Sequence, residues 1–396
     1  MRPPRICFGW RPACTNTGDG GGVNGLSPLP RPLDGSLQAW RRSHLLAGNR
    51  GYLVIGEAAG RLFACDLARS GFLDLPRVAN AVETDDLVQR IDAAFDLLVL
   101  PMAYEIGLGV DYSRLVQVLA AIRVPIVTLG LGIACDPQTP LAALPNSVAE
   151  LLSVLDRRAA LFGVRADVTC DWLHRHGFSR AVALGCPSLH LYPQKILRLD
   201  PPTRSPDRLA YLTGGYLLRD RERGRALSRF FEGADATYVL QDEPFVDAAF
   251  DDDDVLFDDA RQEMDAAVFN AAVERMHGYR PSFRHYRYFD SLDAWRCCAA
   301  AHDAFIGDRF HGGVVALQTG TPAILFLKDV RARELSEFYD IPRIDLHDAV
   351  MAGRAATIDQ CLSTATFAQL KAVFADRHET FLRSTAACDL RFSAQA

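Results

Sequence analysis

The chain has 396 residues, of which 49% are hydrophobic and 23% charged, and its formal net charge is −6. That length exceeds one ordinary core and suits two domains, while the acidic balance argues against a general nucleic-acid binder. No apolar run is long and clean enough to span a bilayer, and the first residues lack the continuous apolar stretch of a signal peptide, so a cytoplasmic protein is expected. Residues 1–40 are rich in Gly and Pro and are expected to form an irregular extension or a loop over a cleft. In residues 41–199, short apolar strands alternate with helical patterns. A weak strand is expected at residues 44–47 and a helix over Tyr52–Cys65. Strands are predicted at Leu97–Leu100, Pro125–Leu129, Leu161–Val164 and Val182–Leu184. Helices are predicted over Asp111–Ile122, over Asn146–Arg157, and from Asp167 to a stop at Gly177.

Asp200–Pro206 reads as a linker, after which the alternation restarts over residues 207–350. Strands are predicted at Leu209–Leu212, Thr237–Leu240, Ala304–Ile306 and Ala323–Leu327. Helical patterns fall at Arg219–Phe231, Asp258–Met276, Ser291–Ala301 and Arg331–Tyr339. Residues 351–396 read as a C-terminal helical segment with a helix over Phe367–Leu382. The acidic run at residues 251–254 reads as a solvated loop. Ten cysteines occur without metal-type spacing, which fits a reducing compartment, and adjacent Cys297 and Cys298 read as core thiols. Regular strand–helix alternation predicts an α/β fold of two Rossmann-like doubly wound domains facing across a cleft.

The most informative stretch runs from Asp303 to Pro322. It predicts a buried strand, a sharp turn and a helix that Gly320 and Pro322 end. Arg309 and His311 fall at the mouth of that helix, where unpaired backbone N–H groups favour an anion. Gly312 and Gly313 weaken the helix but would let a ligand approach the backbone. Phe162-Gly-Val-Arg165-Ala-Asp167 has the same strand–turn–Arg–helix layout, so one arginine from each half would clamp one anion. The plainer readings are an Arg and a His capping a surface turn, and an Arg165–Asp167 salt bridge.

These residues resemble the polysaccharide pyruvyl transferase family. Gly307-Asp-Arg309-Phe-His311-Gly-Gly313 is similar to its R-x-H-G signature, and further segments follow in the family's order. Asn49-Arg-Gly-Tyr-Leu-Val-Ile-Gly-Glu57 looks like its N-terminal N-x-G-[DN] loop and helix, with Tyr52 in place of the usual Asp or Asn. Leu131-Gly-Ile133 follows a strand as in its G-x-G turn. Gly163-Val-Arg165-Ala-Asp-Val-Thr169 is similar to V-R-[GD]-x-x-[ST], Gly185-Cys-Pro-Ser-Leu189 to G-[CD]-P-[SA], and Asp329-Val-Arg-Ala-Arg-Glu-Leu335 to D-x-R-x-x-E-L. The resemblance implies the two-domain architecture of GT-B-like glycosyltransferases. It also implies phosphoenolpyruvate as donor, a sugar or oligosaccharide as acceptor, a pyruvate ketal as product, and no metal or nicotinamide cofactor. If the acceptor is lipid-linked, the chain would meet it at the inner membrane surface.

Phosphoenolpyruvate concentrates a carboxylate and a phosphate on three carbons, which suits the planar fork of arginine. Arg165, Arg309, His311, Gly312 and Gly313 are the expected donor-binding residues, with His311 and Arg309 catalytic. Glu105, just beyond a strand end, is the candidate for accepting a hydroxyl proton, and Asn49 and Glu57 are the acceptor-side candidates. Rival readings are a nucleotide-sugar-dependent glycosyltransferase and a catalytically lapsed glycan-binding protein. A dehydrogenase fits less well, because Gly130-Leu-Gly-Ile-Ala-Cys135 satisfies only two positions of G-x-G-x-x-G.

Overall fold

The computed structural model describes residues 2–10, 51–103, 106–107, 109–241, 257–258, 260–289 and 291–393. Asn49, Glu105, the expected strand at 44–47, the acidic run at 251–254 and residues 11–40 of the expected extension lie outside them. The first half holds strands β1 (Ile6–Phe8), β2 (Gly71–Phe72), β3 (Leu97–Pro101), β4 (Ile126–Leu131), β5 (Ala159–Val164) and β6 (Ala181–Ala183). Between them run helices α1 (Gly51–Leu62), α2 (Leu75–Ala81), α3 (Thr84–Ala94), α4 (Ser113–Ala121), α5 (Asn146–Arg158) and α6 (Asp167–Arg175), with α7 (Pro193–Leu197) after β6. The strands form one parallel sheet in the order β2-β1-β3-β4-β5-β6. Its apolar runs are covered on both faces, as a parallel sheet requires. Alternate residues of β3 divide between two cores: Leu98 and Leu100 pack with α2 to α6, whereas Leu97 and Val99 pack with α1 and the chain's last helix.

The second half holds β7 (Ala210–Thr213), β8 (Asp235–Val239), β9 (Phe257–Asp258), β10 (Glu263–Met264), β11 (His285–Arg287), β12 (Ala304–Gly307), β13 (Ala323–Phe326) and β14 (Arg343–Ile344). Their order is β14-β13-β12-β7-β8-β11-β10-β9, parallel except for the β9 and β10 edge. The helices are α8 (Arg221–Phe230), α9 (Ala266–His277), α10 (Leu292–Ala300), α11 (Phe310–Thr319), α12 (Val330–Phe338), α13 (Leu346–Ala352), α14 (Arg354–Cys361) and α15 (Thr364–Ala386). The expected pair of doubly wound sheets is therefore present. Strand order reverses between β1 and β3 in one sheet and between β7 and β12 in the other. At such a point successive connections leave for opposite faces and open a crevice at the carboxyl ends of the strands.

Three expectations need correction. Ile6–Phe8, inside the segment read as an irregular extension, is a fully buried strand at the first switch point, and three apolar residues among Arg and Pro gave too short a signal. The helix expected over Asp258–Met276 begins only at Ala266. There the Asp265 carboxylate accepts the Ala267 and Val268 N–H groups, while the residues before it pair as β9 and β10. Cys297 is exposed and Cys298 half-buried, because α10 buries Leu292, Trp295, Arg296 and Ala299 instead. The expected C-terminal helix is present as α15, and it docks on both halves. Phe367, Leu370 and Phe374 of α15 join the second core, Phe381 packs on the first sheet, and the Ser393 N–H donates to Leu62 O at 2.8 Å.

Candidate active site

The turn from β12 into α11 lies at the second switch point. The Asp308 N–H donates to Gly214 O at 2.8 Å, so the chain leaving β12 is laced to the chain leaving β7. The buried Asp308 carboxylate accepts from Arg223 Nε at 2.8 Å and Nη2 at 2.6 Å. Burial raises its pKa, and Arg223 opposes that shift. Arg309 occupies the cap position of α11 and is 3% exposed. Its Nε donates to Gly215 O at 2.8 Å, and its guanidinium carbon lies 3.7 Å from the Tyr216 ring centre. Lys328, just past β13, sets its Nζ 2.9 Å from the same ring centre. It forms no ion pair among the described residues, and burial holds its pKa down against the pull of Asp308. Two cations thus contact one aromatic ring close to the buried Asp308 carboxylate.

The other half contributes Arg165, which follows β5 and is 4% exposed. A side chain on Gly132 would put its Cβ 3.0 Å from Arg165 Nε, so the Gly130-Leu-Gly132 turn makes room for the guanidinium. Glu334 of α12 reaches across the seam, and its Oε1 accepts the Thr169 N–H at 3.0 Å and the Thr169 hydroxyl. Burial raises the Glu334 pKa, while the Arg165 charge opposes the rise. His311 Nε2 lies 3.7 Å from Cys186 Sγ, in the turn after β6. Burial, with Arg165 and Arg331 beside it, drives the His311 pKa down to about 3, so its ring is neutral.

The structure therefore brings Arg165 to His311 across the seam, and it groups Arg309 with Lys328 and Tyr216. Two other expectations are revised. Gly312 and Gly313 are buried, and a Cβ on them would meet Phe305 at 2.8 Å and Leu325 at 2.9 Å. Their missing side chains let α11 lie close on β12 and β13, and their N–H groups donate to Arg309 O at 2.9 and 3.2 Å. Glu57 is not an open acceptor-side carboxylate. Arg296 binds both its oxygens, with Nη1 at 3.0 Å from Oε1, and Arg61 Nε lies 3.1 Å from Oε1. Arg296 Nε continues to Gln318 Oε1 at 3.0 Å, and Gln318 Nε2 to Ser188 O at 2.7 Å, so Glu57 anchors a strut between the halves.

Lys328, Glu334, Cys186 and Tyr216 were given no role from the sequence. For Lys328 a signal existed: it immediately follows the apolar run ending at Leu327, at the carboxyl end of a strand near the predicted site. Among the described residues, no group of three or more His, Cys, Asp or Glu is placed to hold a metal, and no helix is long and apolar enough to cross a membrane.

A family model described as polysaccharide pyruvyl transferase matches residues 68–327. No curated protein matches the chain in sequence. Among solved structures, S. aureus MnaA in its UDP co-structure superimposes with a TM-score of 0.48 at 12% identity, covering 98% of both chains. A UDP-N-acetylglucosamine 2-epimerase gives 0.46 at 11% identity over 98% of this chain and 97% of that one. A putative epimerase of the same name from Listeria monocytogenes gives 0.43 at 10% identity over 79% and 78%.

Proposed function

Because this chain belongs to the polysaccharide pyruvyl transferase family and is a transferase, we propose that it moves the three-carbon unit of phosphoenolpyruvate onto two hydroxyls of a glycan. One sugar oxygen bonds to C2 of the donor and the methylene carbon takes a proton. The bond from C2 to the phosphate oxygen then breaks as a second sugar oxygen bonds to C2. Of the two hydroxyl protons released, one is balanced by the new methyl group and the other leaves with phosphate. No electrons are exchanged, so the reaction as written needs no redox cofactor.

The observation that carries this reading is the pairing of Arg309 and Lys328 on Tyr216 at the β7/β12 switch point, with the neutral His311 two residues after Arg309. In our reading Arg309, Lys328 and Arg165 hold the donor's phosphate and carboxylate. Fixed cations in a desolvated crevice stabilise the leaving phosphate without reorganising during reaction. His311 begins neutral, and a bound trianion raises its pKa, so it can take a hydroxyl proton or supply one to carbon. A lipid-linked acceptor would be met at the inner membrane surface.

A thermal-shift panel of phosphoenolpyruvate, UDP-sugars and free oligosaccharides tests the donor, since a ligand specific to the folded state raises apparent stability. Stabilisation by phosphoenolpyruvate, with phosphate release that depends on an added glycan, is expected. Saturable UDP binding without a response to phosphoenolpyruvate would replace this reading with a nucleotide-sugar-dependent glycosyltransferase. Glycan binding without turnover would mark a lapsed enzyme.

A further inference from the structure

Cys186 has no part in the chemistry above, yet it touches the residue on which that chemistry turns. It stands in the turn after β6, in the first half of the chain, and is 4% exposed. Its Sγ lies 3.7 Å from His311 Nε2 and 2.9 Å from Ser188 Oγ. Ser188 is fully buried, and its backbone carbonyl is held by Gln318 across the seam. We propose that Cys186 is a positioning residue that fixes His311 in the tautomer carrying its hydrogen on Nδ1.

A neutral imidazole has one donor and one acceptor nitrogen, and the partner of one nitrogen decides the state of the other. The charged and titratable groups facing the ring are Arg165 from the β5–α6 turn, Arg331 from α12 and Cys186; on its own helix the neighbour is the edge of Phe310. Both arginines oppose protonation of the ring. Burial raises the Cys186 pKa, so it keeps its hydrogen at neutral pH. A ring nitrogen's lone pair is a far better acceptor than a thiol sulfur, which directs S–H toward Nε2. Ser188 completes the arrangement by donating its hydroxyl hydrogen to Sγ. The reverse direction would place an N–H on a poor sulfur acceptor and leave the thiol hydrogen for Ser188. A relay Ser188–Cys186–His311 then crosses the seam, and Nδ1 is the nitrogen that holds the proton.

The kinetic consequence rests on the pyruvyl transfer proposed above, whereas the tautomer does not, and the test separates them. Protein labelled with 15N-histidine is examined without substrate at pH 7.5 by long-range proton–nitrogen correlation, with His311 assigned by its loss in His311→Asn. The unmodified protein and Cys186→Ser should both show Nδ1–H. Cys186→Ala should show a mixture, and Cys186→Asp, whose carboxylate can only accept, should show Nε2–H or the imidazolium. Nε2–H in the unmodified protein, or spectra unchanged in the Ala and Asp variants, would overturn the assignment. In turnover, Cys186→Ala should lower kcat about tenfold with KM for phosphoenolpyruvate within about twofold, and Cys186→Ser should recover most of it. Equal losses in the Ala and Ser variants, accompanied by equal losses in Tm, would mean that Cys186 only fills space. If the unmodified protein releases no phosphate from phosphoenolpyruvate, the proposed function fails and the spectra still decide the tautomer.

Discussion

Replacing Glu57 by alanine should destabilise the protein by about 3 kcal/mol, near the lower end of the range for breaking a buried ion pair. The structure sets that size. The Glu57 and Arg296 side chains are 5% and 10% exposed, so the variant strands a buried guanidinium. Arg61 contributes less, because its side chain is 35% exposed and water screens it. Asp293 Oδ1, 3.1 Å from Arg296 Nη1 but 71% exposed, offers partial compensation, and Gln318 keeps its bond to Arg296 Nε. For a cooperative unit of this size the loss corresponds to a Tm lower by roughly 4–10 °C. Adding Arg296→Met to Glu57→Ala should recover most of the drop, because a buried pair is often replaceable by apolar packing. The assay is thermal unfolding of both variants alongside turnover of the folded fraction. A Tm unchanged in Glu57→Ala, with turnover abolished, would refute the strut and return Glu57 to the acceptor side.

Arg165→Ala, Arg309→Ala and Lys328→Ala should each weaken phosphoenolpyruvate binding by about 2–5 kcal/mol in calorimetric titration, with Lys328 at the low end because it is a point charge without a fork. Wild-type affinity in all three would remove the donor site from this crevice. His311→Asn should lower turnover by roughly 10²–10⁴-fold while reducing donor affinity less than Arg309→Ala does; an unchanged pH–rate profile over pH 5.5–9 would make His311 a structural cap. Gly312→Ala should destabilise by about 1–3 kcal/mol, since its Cβ would lie 2.8 Å from the Phe305 ring, and a stable variant with impaired donor binding would reverse the packing assignment. Stability should also fall with acid. His190 is fully buried, and its Nδ1 is 3.0 Å from His378 Nδ1; burial takes its pKa from 6.5 to about 3 and lowers that of His378 too. The unfolded chain therefore binds protons that the folded one refuses, so stability present above about pH 6.5 drains away as pH falls toward 3, by about 2 kcal/mol from His190 alone at pH 5. Tm measured from pH 4.5 to 8 should bend down below pH 6.5 and less so in His378→Phe; a flat profile in the unmodified protein would contradict it.

The places of Arg309, His311 and Arg165 beyond strand ends were legible in the sequence because a short apolar strand, a turn and a helical pattern fix where a side chain falls relative to a strand's carboxyl end. The same logic covers Lys328, which stands two residues past the end of β13 at Phe326 and so falls at the same edge of the sheet. Glu57 was misread for a reason no local pattern can cure: its partner Arg296 lies 239 positions away, and a carboxylate on an apolar helix looks alike whether it meets a sugar or a guanidinium. Gly312 and Gly313 share that ambiguity, since a missing side chain can admit a ligand or a neighbouring strand. Strand β1 escaped because alternation cannot be seen in three residues, yet sheet pairing with β2 and β3 makes it central.

The path of α15 also constrains how the chain can be assembled during synthesis. Strand β6 completes the first sheet at Ala183, but one face of that sheet waits for Phe381 and Leu390 to complete the cover that α1 begins. At about 5–20 residues per second, roughly 200 intervening residues take on the order of 10–40 s to emerge. Through that interval Val99, Val127 and Leu129 lack part of their apolar cover, while the second half is still being made. The last turns of α15 then act as a closing stitch, so premature termination anywhere in that helix leaves a nascent first half with an apolar face that chaperones would recognise.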